Sequence, residues 1–124
     1  MTTGTTTGTT TGTTTYTGEV AEVTDADFGT EVLAAERPVL VKFTARWCGP
    51  CRQLTPVLAA LAAEEARRLR IVEIDVDRNP ETTTAYGVLA TPTLMVFRAG
   101  EPVKAIVGAR PKRRLLQDLE DVLG

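Results

Sequence analysis

Histidine is absent from the 124 residues of the sequence, and cysteine occurs only at Cys48 and Cys51. Without histidine, neither a Ser-His-Asp nor a Cys-His catalytic site can form, and a histidine-ligated metal is excluded. A small secreted scaffold stapled by disulfides would carry more cysteines, spaced further apart. The chemistry available to this chain is therefore narrow, and much of it depends on two thiols.

The sequence also lacks long apolar runs and an excess of charge of one sign. No run approaches the roughly 20 apolar residues that span a bilayer. The N-terminus does not have the basic segment followed by an apolar one that marks a secretory signal. The net charge of −2, from 14 basic and 16 acidic side chains, gives no electrostatic reason to expect nucleic acid as a partner. We therefore expect a cytoplasmic protein that binds neither membrane nor nucleic acid.

Residues 1–18 are low in complexity, with threonine triplets separated by Gly4, Gly8 and Gly12. This stretch has almost nothing apolar to bury, so it cannot offset the entropy cost of ordering its backbone. We predict a disordered tail over residues 1–18, which we interpret as a solubilising or vestigial extension, and one folded domain over residues 19–124.

Apolar patterning within that domain predicts an alternation of strands and helices. The predicted strands cover residues 19–23, 39–43, 71–76, 93–98 and 103–107, and the predicted helices cover residues 24–37, 51–68, 79–86 and 111–123. Thr24 or Asp25 is the expected N-cap of the first helix, and Pro56 predicts a kink in the second. Ala99 and Gly100 predict a hairpin turn. The alternation indicates an α/β fold with a central sheet and helices on both faces.

The segment Trp47-Cys48-Gly49-Pro50-Cys51 lies where a buried strand ends and a helix begins. A helix N-terminus presents free N–H groups and partial positive charge, which stabilise a thiolate and lower the thiol pKa. We expect Cys48 to be the more exposed sulfur and to attack a substrate disulfide. Cys51, one turn inside the helix, would resolve the mixed disulfide. Pro50 restricts the loop and is expected to tune ring closure.

Other interpretations of this motif remain. Cys-x-x-Cys can be half of a zinc site, although zinc normally takes four ligands and the chain offers no further cysteine or histidine. The pair could also be structurally inert. The strand-to-helix context favours redox chemistry. Trp47 could pack in the core, but its position beside Cys48 favours an exposed apolar lip where a substrate docks.

Several segments resemble the thioredoxin family. The active-site segment over residues 39–51 is similar to that of thioredoxins. Further similarities follow in order at Pro56, at residues 75–80, at residues 86–88, at Thr91-Pro92-Thr93 and at Gly108. The resemblance extends over residues 20–123.

This resemblance implies a thioredoxin fold, a mixed sheet of four or five strands flanked by helices, and the activity of a protein-disulfide reductase. Pro92 would be cis and lie against the cysteines, and Trp47, Thr91, Pro92 and Gly108 would frame a groove for a substrate strand. No bound cofactor is implied, since the redox carrier is the Cys48–Cys51 disulfide. The implied partners are protein disulfides and an NADPH-dependent flavoprotein reductase, and the implied state is a monomer.

Lys42 departs from the family, in which an aspartate is typical at the matching position. The matching lysine of the family falls on Glu73 here. Each is an isolated charge within an apolar strand, and burying one alone is costly. We therefore predict that Lys42 and Glu73 form a reversed ion pair beneath the active site and influence proton transfer at Cys51. Snorkelling of Lys42 to solvent is the alternative.

Three functions are compatible with these features. A general disulfide reductase is favoured, and a specialised reductase serving one target protein is the second. The third is a binding module in which the fold is a scaffold and the thiols are secondary.

Overall fold

The computed structural model describes residues 18–123, so the predicted tail lies outside the described residues except for Gly18. Five strands and three α-helices follow one another with a short π-helix after the first strand. In chain order they are β1 (Ala21–Glu22), the π-helix (Gly29–Leu33), β2 (Val39–Thr44), α1 (Gly49–Glu64), β3 (Arg70–Asp75), α2 (Pro80–Ala85), β4 (Thr93–Arg98), β5 (Glu101–Val107) and α3 (Lys112–Leu123).

All five strands form one mixed sheet in the order β1-β3-β2-β4-β5. Strand β2 occupies the centre, parallel to β3 and antiparallel to β4. Its first five residues, 39–43, are all buried, as expected for a nearly continuous apolar run covered on both faces. The predicted α/β fold with a five-stranded mixed sheet is confirmed.

Each face of the sheet carries its own apolar core. One face packs against α1 and α3, and its buried residues include Leu40, Leu58, Leu94 and Leu119. The opposite face packs against the N-terminal segment and the end of α2, with Phe28, Tyr86 and Phe97 in mutual ring contact. None of the helices within residues 18–123 is long and apolar enough to cross a membrane.

Several predicted boundaries are confirmed and others shift. Strand β4 and the Ala99-Gly100 turn are found as expected, and both turn residues have positive φ. Helix α1 ends at Glu64 rather than near Arg68, because the N–H groups of Arg68 and Leu69 both donate to the Glu65 carbonyl in a closing turn. Pro56 lies inside α1.

The segment after β1 differs most from its predicted helix. Only the five-residue π-helix forms there, and Asp25 does not cap it. The Asp25 carboxylate instead accepts the N–H groups of Glu81 and Thr82, at the start of α2. The Asn79 side chain accepts the N–H of Asp25 in return. Asp25 therefore acts as an N-terminal cap for a helix more than 50 residues away in the chain.

Replacing Asp25 with asparagine tests this long-range cap. Desolvation raises the pKa of Asp25, but the hydrogen bonds from Thr82 and Glu81 outweigh it, so the pKa lies below the ordinary 3.8. Because the folded-state pKa is lowered, the stabilisation is present above 3.8 and is lost as the pH falls through the folded-state value. We expect Asp25→Asn to lower the Tm at pH 7, and the deficit to shrink on acidification.

The measurement is thermal unfolding, monitored by circular dichroism, at pH values from 7 to below 3.8. Glu36→Gln, at an exposed position before β2, is the control and should have little effect at pH 7 or at acidic pH. A Tm deficit of Asp25→Asn that stayed constant with pH would contradict the carboxylate cap.

Candidate active site

The loop between β2 and α1 carries the cysteine motif to the carboxyl end of the central strand. Cys48 is the N-cap of α1 with extended backbone angles, Gly49 is the first residue of the helix, and Pro50 lies in its first turn, where a missing N–H costs nothing. Cys51 follows on the buried side of the first turn. The sequence thus starts the helix at the motif itself.

Cys48 and Cys51 are joined in a disulfide with their Cα atoms 5.3 Å apart. The backbone N–H of Cys51 donates a hydrogen bond to the Cys48 sulfur at 3.1 Å. This N–H is one of the donors that the first turn of a helix leaves without a backbone partner. The Cys48 sulfur therefore occupies the site at which a helix N-terminus stabilises negative charge.

Both cysteines are almost fully buried in this oxidised state, with Cys48 the slightly more exposed of the two, in the expected order. Cys48 is 3% exposed and Cys51 is 1% exposed. The two cysteines pack with Ala45 in a small cluster, and Val76 covers it from the turn after β3. Bonding the sulfurs to each other and packing them against these side chains removes both from solvent, although Cys48 keeps the larger accessible fraction.

Trp47 projects from the same loop, with 69% of the residue exposed. Its indole N–H donates to the Asp77 carboxylate at 2.9 Å. The ring is therefore held at the surface by a contact between two loops. Sequence reasoning missed Asp77, because the bond joins positions 30 residues apart, and only the placement of residues 75–80 at the end of a strand hinted at it.

The loop before β4 lies at the same end of the sheet as the cysteine loop, because Phe43 near the end of β2 is paired with Thr93 at the start of β4. The Thr91–Pro92 bond is cis. The Pro92 carbonyl accepts the Gly108 N–H at 2.9 Å, and Gly108 has φ +97°, a conformation that favours glycine. Thr91, Pro92 and Gly108 are thereby brought together.

Lys42 and Glu73 face each other across β2 and β3, in direct register. The Lys42 Nζ lies 3.7 Å from the Glu73 Oε1 and 3.4 Å from the Thr55 hydroxyl of α1. The Lys42 side chain is only 3% exposed, whereas that of Glu73 is 39% exposed. The predicted contact is thus present, and Lys42 does not snorkel to solvent.

The electrostatics of this pair follow from its unequal burial. Desolvation lowers the pKa of Lys42 from its ordinary 10.5, and the charge and hydrogen bonding of Glu73 partly oppose that shift. Glu73 is thus the charge that makes a buried ammonium tolerable, while its own carboxylate keeps contact with water.

The described residues contain no group of three or more histidine, cysteine, aspartate or glutamate side chains that could hold a metal ion. A reversible disulfide at the start of a helix, in a mixed sheet flanked by helices, defines a thiol-disulfide oxidoreductase.

Comparisons with known proteins agree with this class. The Thioredoxin family profile matches residues 19–121. A thioredoxin of Mycobacterium tuberculosis strain H37Rv is 51% identical over 102 residues, which are 82% of this chain and 88% of the relative. A thioredoxin of Streptomyces clavuligerus is 50% identical over 100 residues, or 81% of this chain and 92% of the relative. A bifunctional thioredoxin reductase/thioredoxin of Mycobacterium leprae is 48% identical over 106 residues, or 86% of this chain and 23% of the relative.

The chain belongs to the thioredoxin family. Thioredoxins are thiol-disulfide oxidoreductases that reduce protein disulfides, and the cysteine pair described above fits that active site.

A double-mutant cycle on Lys42→Met and Glu73→Leu tests the reversed ion pair. Glu73→Leu leaves a buried ammonium without its counter-charge, so we expect it to cost about 2 kcal/mol, between typical exposed and fully buried pairs. Lys42→Met leaves a carboxylate that still reaches water, so we expect a cost below about 1 kcal/mol. The double variant should show a coupling of about 1 kcal/mol.

The measurement is chemical unfolding of all four proteins. Lys104→Met and Asp121→Leu form the control cycle, because that pair is closer, at 3.0 Å, but more exposed, and should couple by less than about 0.5 kcal/mol. Additive effects at Lys42 and Glu73 would contradict the pair.

Proposed function

We propose that Cys48 is the attacking thiol and Cys51 the resolving thiol in the reduction of protein disulfides. The Cys48 thiolate attacks one sulfur of the substrate disulfide, whose other sulfur leaves as a thiolate and takes up a proton. The Cys51 thiolate then attacks the Cys48 sulfur and releases the second substrate thiol. Two electrons pass to the substrate, and the Cys48–Cys51 disulfide forms.

The assignment of Cys48 as nucleophile rests on the hydrogen bond from the Cys51 N–H. In the reduced protein the same donor would stabilise a thiolate at Cys48 and lower its pKa below the free value of about 8.5. Within residues 18–123 no hydrogen bond is donated to the Cys51 sulfur, and Cys51 is the less exposed of the two. Once reduction breaks the bond between the sulfurs, Cys48 at the helix start is the one that a substrate meets first.

We propose that the substrate strand lies between Trp47 on one side and Thr91, Pro92 and Gly108 on the other. An exposed indole offers apolar contact, and the backbone before a cis-proline offers hydrogen bonds to an extended chain. The Thr91 hydroxyl is buried without a hydrogen-bond partner in the described part of the chain.

Lys42 and Glu73 are proposed to tune the resolving step. Lys42 contacts Thr55, which lies four residues after Cys51 and thus on the same side of α1. A buried ammonium on that side favours the thiolate form of Cys51. Glu73, which reaches both Lys42 and water, is the proposed proton acceptor, with an active-site water as the alternative.

The reductant is proposed to be an NADPH-dependent thioredoxin reductase. The natural fusion of the two activities in the bifunctional Mycobacterium leprae relative supports this pairing for the present chain. The protein would act as a monomer, with no bound cofactor beyond its own disulfide. It would act in the cytoplasm, because a reducing compartment keeps the cysteine pair supplied with electrons.

Alkylation of the fully reduced protein tests the order of the two thiols. We expect iodoacetamide at about pH 7, below the free thiol pKa of about 8.5, to modify Cys48 at least tenfold faster than Cys51. Peptide mapping by mass spectrometry gives both rates, and unfolded reduced protein is the control in which the rates should converge. Equal rates in the folded protein would contradict a selectively ionised Cys48.

Serine variants separate an enzyme from a scaffold. We expect Cys48→Ser to abolish insulin reduction with dithiothreitol as electron source, whereas Cys51→Ser should accumulate mixed disulfides through Cys48. Cys48→Ser and Cys51→Ser are matched controls for each other, because each removes one sulfur of the same pair. Insulin reduction that survived Cys48→Ser would remove the proposed mechanism.

The number of trapped proteins then distinguishes a general from a specialised reductase. Many partners of Cys51→Ser in a host extract would indicate general use, and one dominant partner would indicate a dedicated enzyme.

A further inference from the structure

Three exposed arginines surround the cysteine motif: Arg46, Arg52 and Arg78. Arg46 directly precedes Trp47, and Arg52 directly follows Cys51. Arg78 follows Asp77, whose carboxylate holds the Trp47 indole. The contact between Trp47 and Asp77 therefore brings the Arg78 turn against the loop that carries Arg46, next to the first turn of α1 that carries Arg52.

These cations are not neutralised by the protein itself. The Arg52 guanidinium donates to the Arg46 backbone carbonyl at 3.0 Å, a neutral acceptor that also draws it toward the motif loop. The Arg46 and Arg78 side chains form no hydrogen bond or ion pair within residues 18–123. Most of the other cationic side chains within residues 18–123 pair with a carboxylate, such as Arg110 with Asp118 and Lys104 with Asp121.

Few carboxylates oppose the three cations at this place. Asp77 is exposed, and the neutral indole N–H of Trp47 that its carboxylate accepts does not cancel its charge. Asp75 is buried, and its Oδ1 accepts the backbone N–H groups of Asp77 and Arg78. The Glu73 charge is matched by Lys42. The rim of the redox site thus carries three arginines against the carboxylates of Asp75 and Asp77, a local excess of positive charge on a chain whose net charge is −2.

We propose that Arg46, Arg52 and Arg78 form a docking rim for polypeptide substrates whose reducible cysteine is flanked by carboxylates. This inference rests on the proposed reductase function and names the class of substrate that function serves best. Guanidinium groups recognise carboxylates through paired hydrogen bonds. A positive rim around the reactive sulfur also steers an acidic chain during diffusional encounter and disfavours a basic one.

The test uses three synthetic peptides that each contain one disulfide and differ only in flanking residues, which are glutamate, serine or lysine. The second-order rate constant for their reduction by the reduced full-length protein is measured at about 0.01 M and about 1 M salt. The Debye length falls from about 30 Å to about 3 Å between these conditions. We expect the acidic peptide to react about tenfold faster than the basic one at low salt, and the ratio to collapse at high salt.

The double variant Arg46→Gln, Arg78→Gln removes the two unpaired guanidinium groups. We expect it to lower the rate with the acidic peptide at least threefold relative to the serine peptide at low salt. Arg67→Gln is the matched control, because Arg67 is also exposed but follows the far end of α1, whose 16 residues span about 24 Å. It should preserve the ratio of the acidic to the basic peptide.

The outcomes distinguish failure of the proposed reductase function from failure of the proposed docking rim. If no peptide is reduced although dithiothreitol reduces all three, the reductase function itself fails. If all three are reduced at equal rates at low salt, or if Arg67→Gln changes the ratio as much as the double variant, the docking rim is overturned while the reductase function stands. Faster reduction of the lysine peptide would likewise overturn it.

Discussion

The hydrogen bond from the Cys51 N–H to the Cys48 sulfur is the interaction on which the active site depends. It forms only because α1 begins at the motif, and α1 begins there because Cys48 is extended while Pro50 and Cys51 are helical. A sulfur at the end of the helix meets an unpaired donor and partial positive charge at once. The chemistry of the pair is thus a property of where a helix starts, and neither residue would have it in mid-helix.

The rest of the fold holds that helix start against the centre of the sheet. Strand β2 is buried on both faces and pairs on both edges, so the loop that follows Thr44 leaves a rigid base. The neighbouring strand β4 begins at the same end, so the Thr91–Pro92 turn lies at the end of the sheet that carries the motif. Rigid strands with short loops at one end let a few residues meet from distant parts of the chain.

Local patterns in the sequence predict much of this arrangement. The run over residues 39–43, the hairpin turn at Ala99 and Gly100, and the helix predicted over residues 111–123 each depend on neighbours in the chain, and each is found. The Lys42–Glu73 contact was also predictable, because two lone charges in adjacent apolar strands have few other ways to be tolerated. The chemistry of the cysteine motif was predictable as well, because its spacing and its strand-to-helix setting are local features of the sequence.

The features that sequence reasoning missed all depend on distance in the chain. Asp25 had the residue type of a local cap, but its carboxylate caps α2 instead. Asp77 holds Trp47 across two loops. No pattern of neighbouring residues encodes which of several competent partners a polar side chain reaches.

The remote cap on α2 also has a consequence for how the chain folds. A six-residue helix is far below the length that is stable alone in water, because nucleation costs more than a few backbone bonds return. The helix is therefore completed only when the segment around Asp25 comes into contact with it, which closes a loop of more than 50 residues. Such a closure raises contact order, and chains rich in distant contacts assemble more slowly than chains of local ones. We therefore expect α2 to form late in folding, after the central strands and α1 provide the surface against which the N-terminal segment packs.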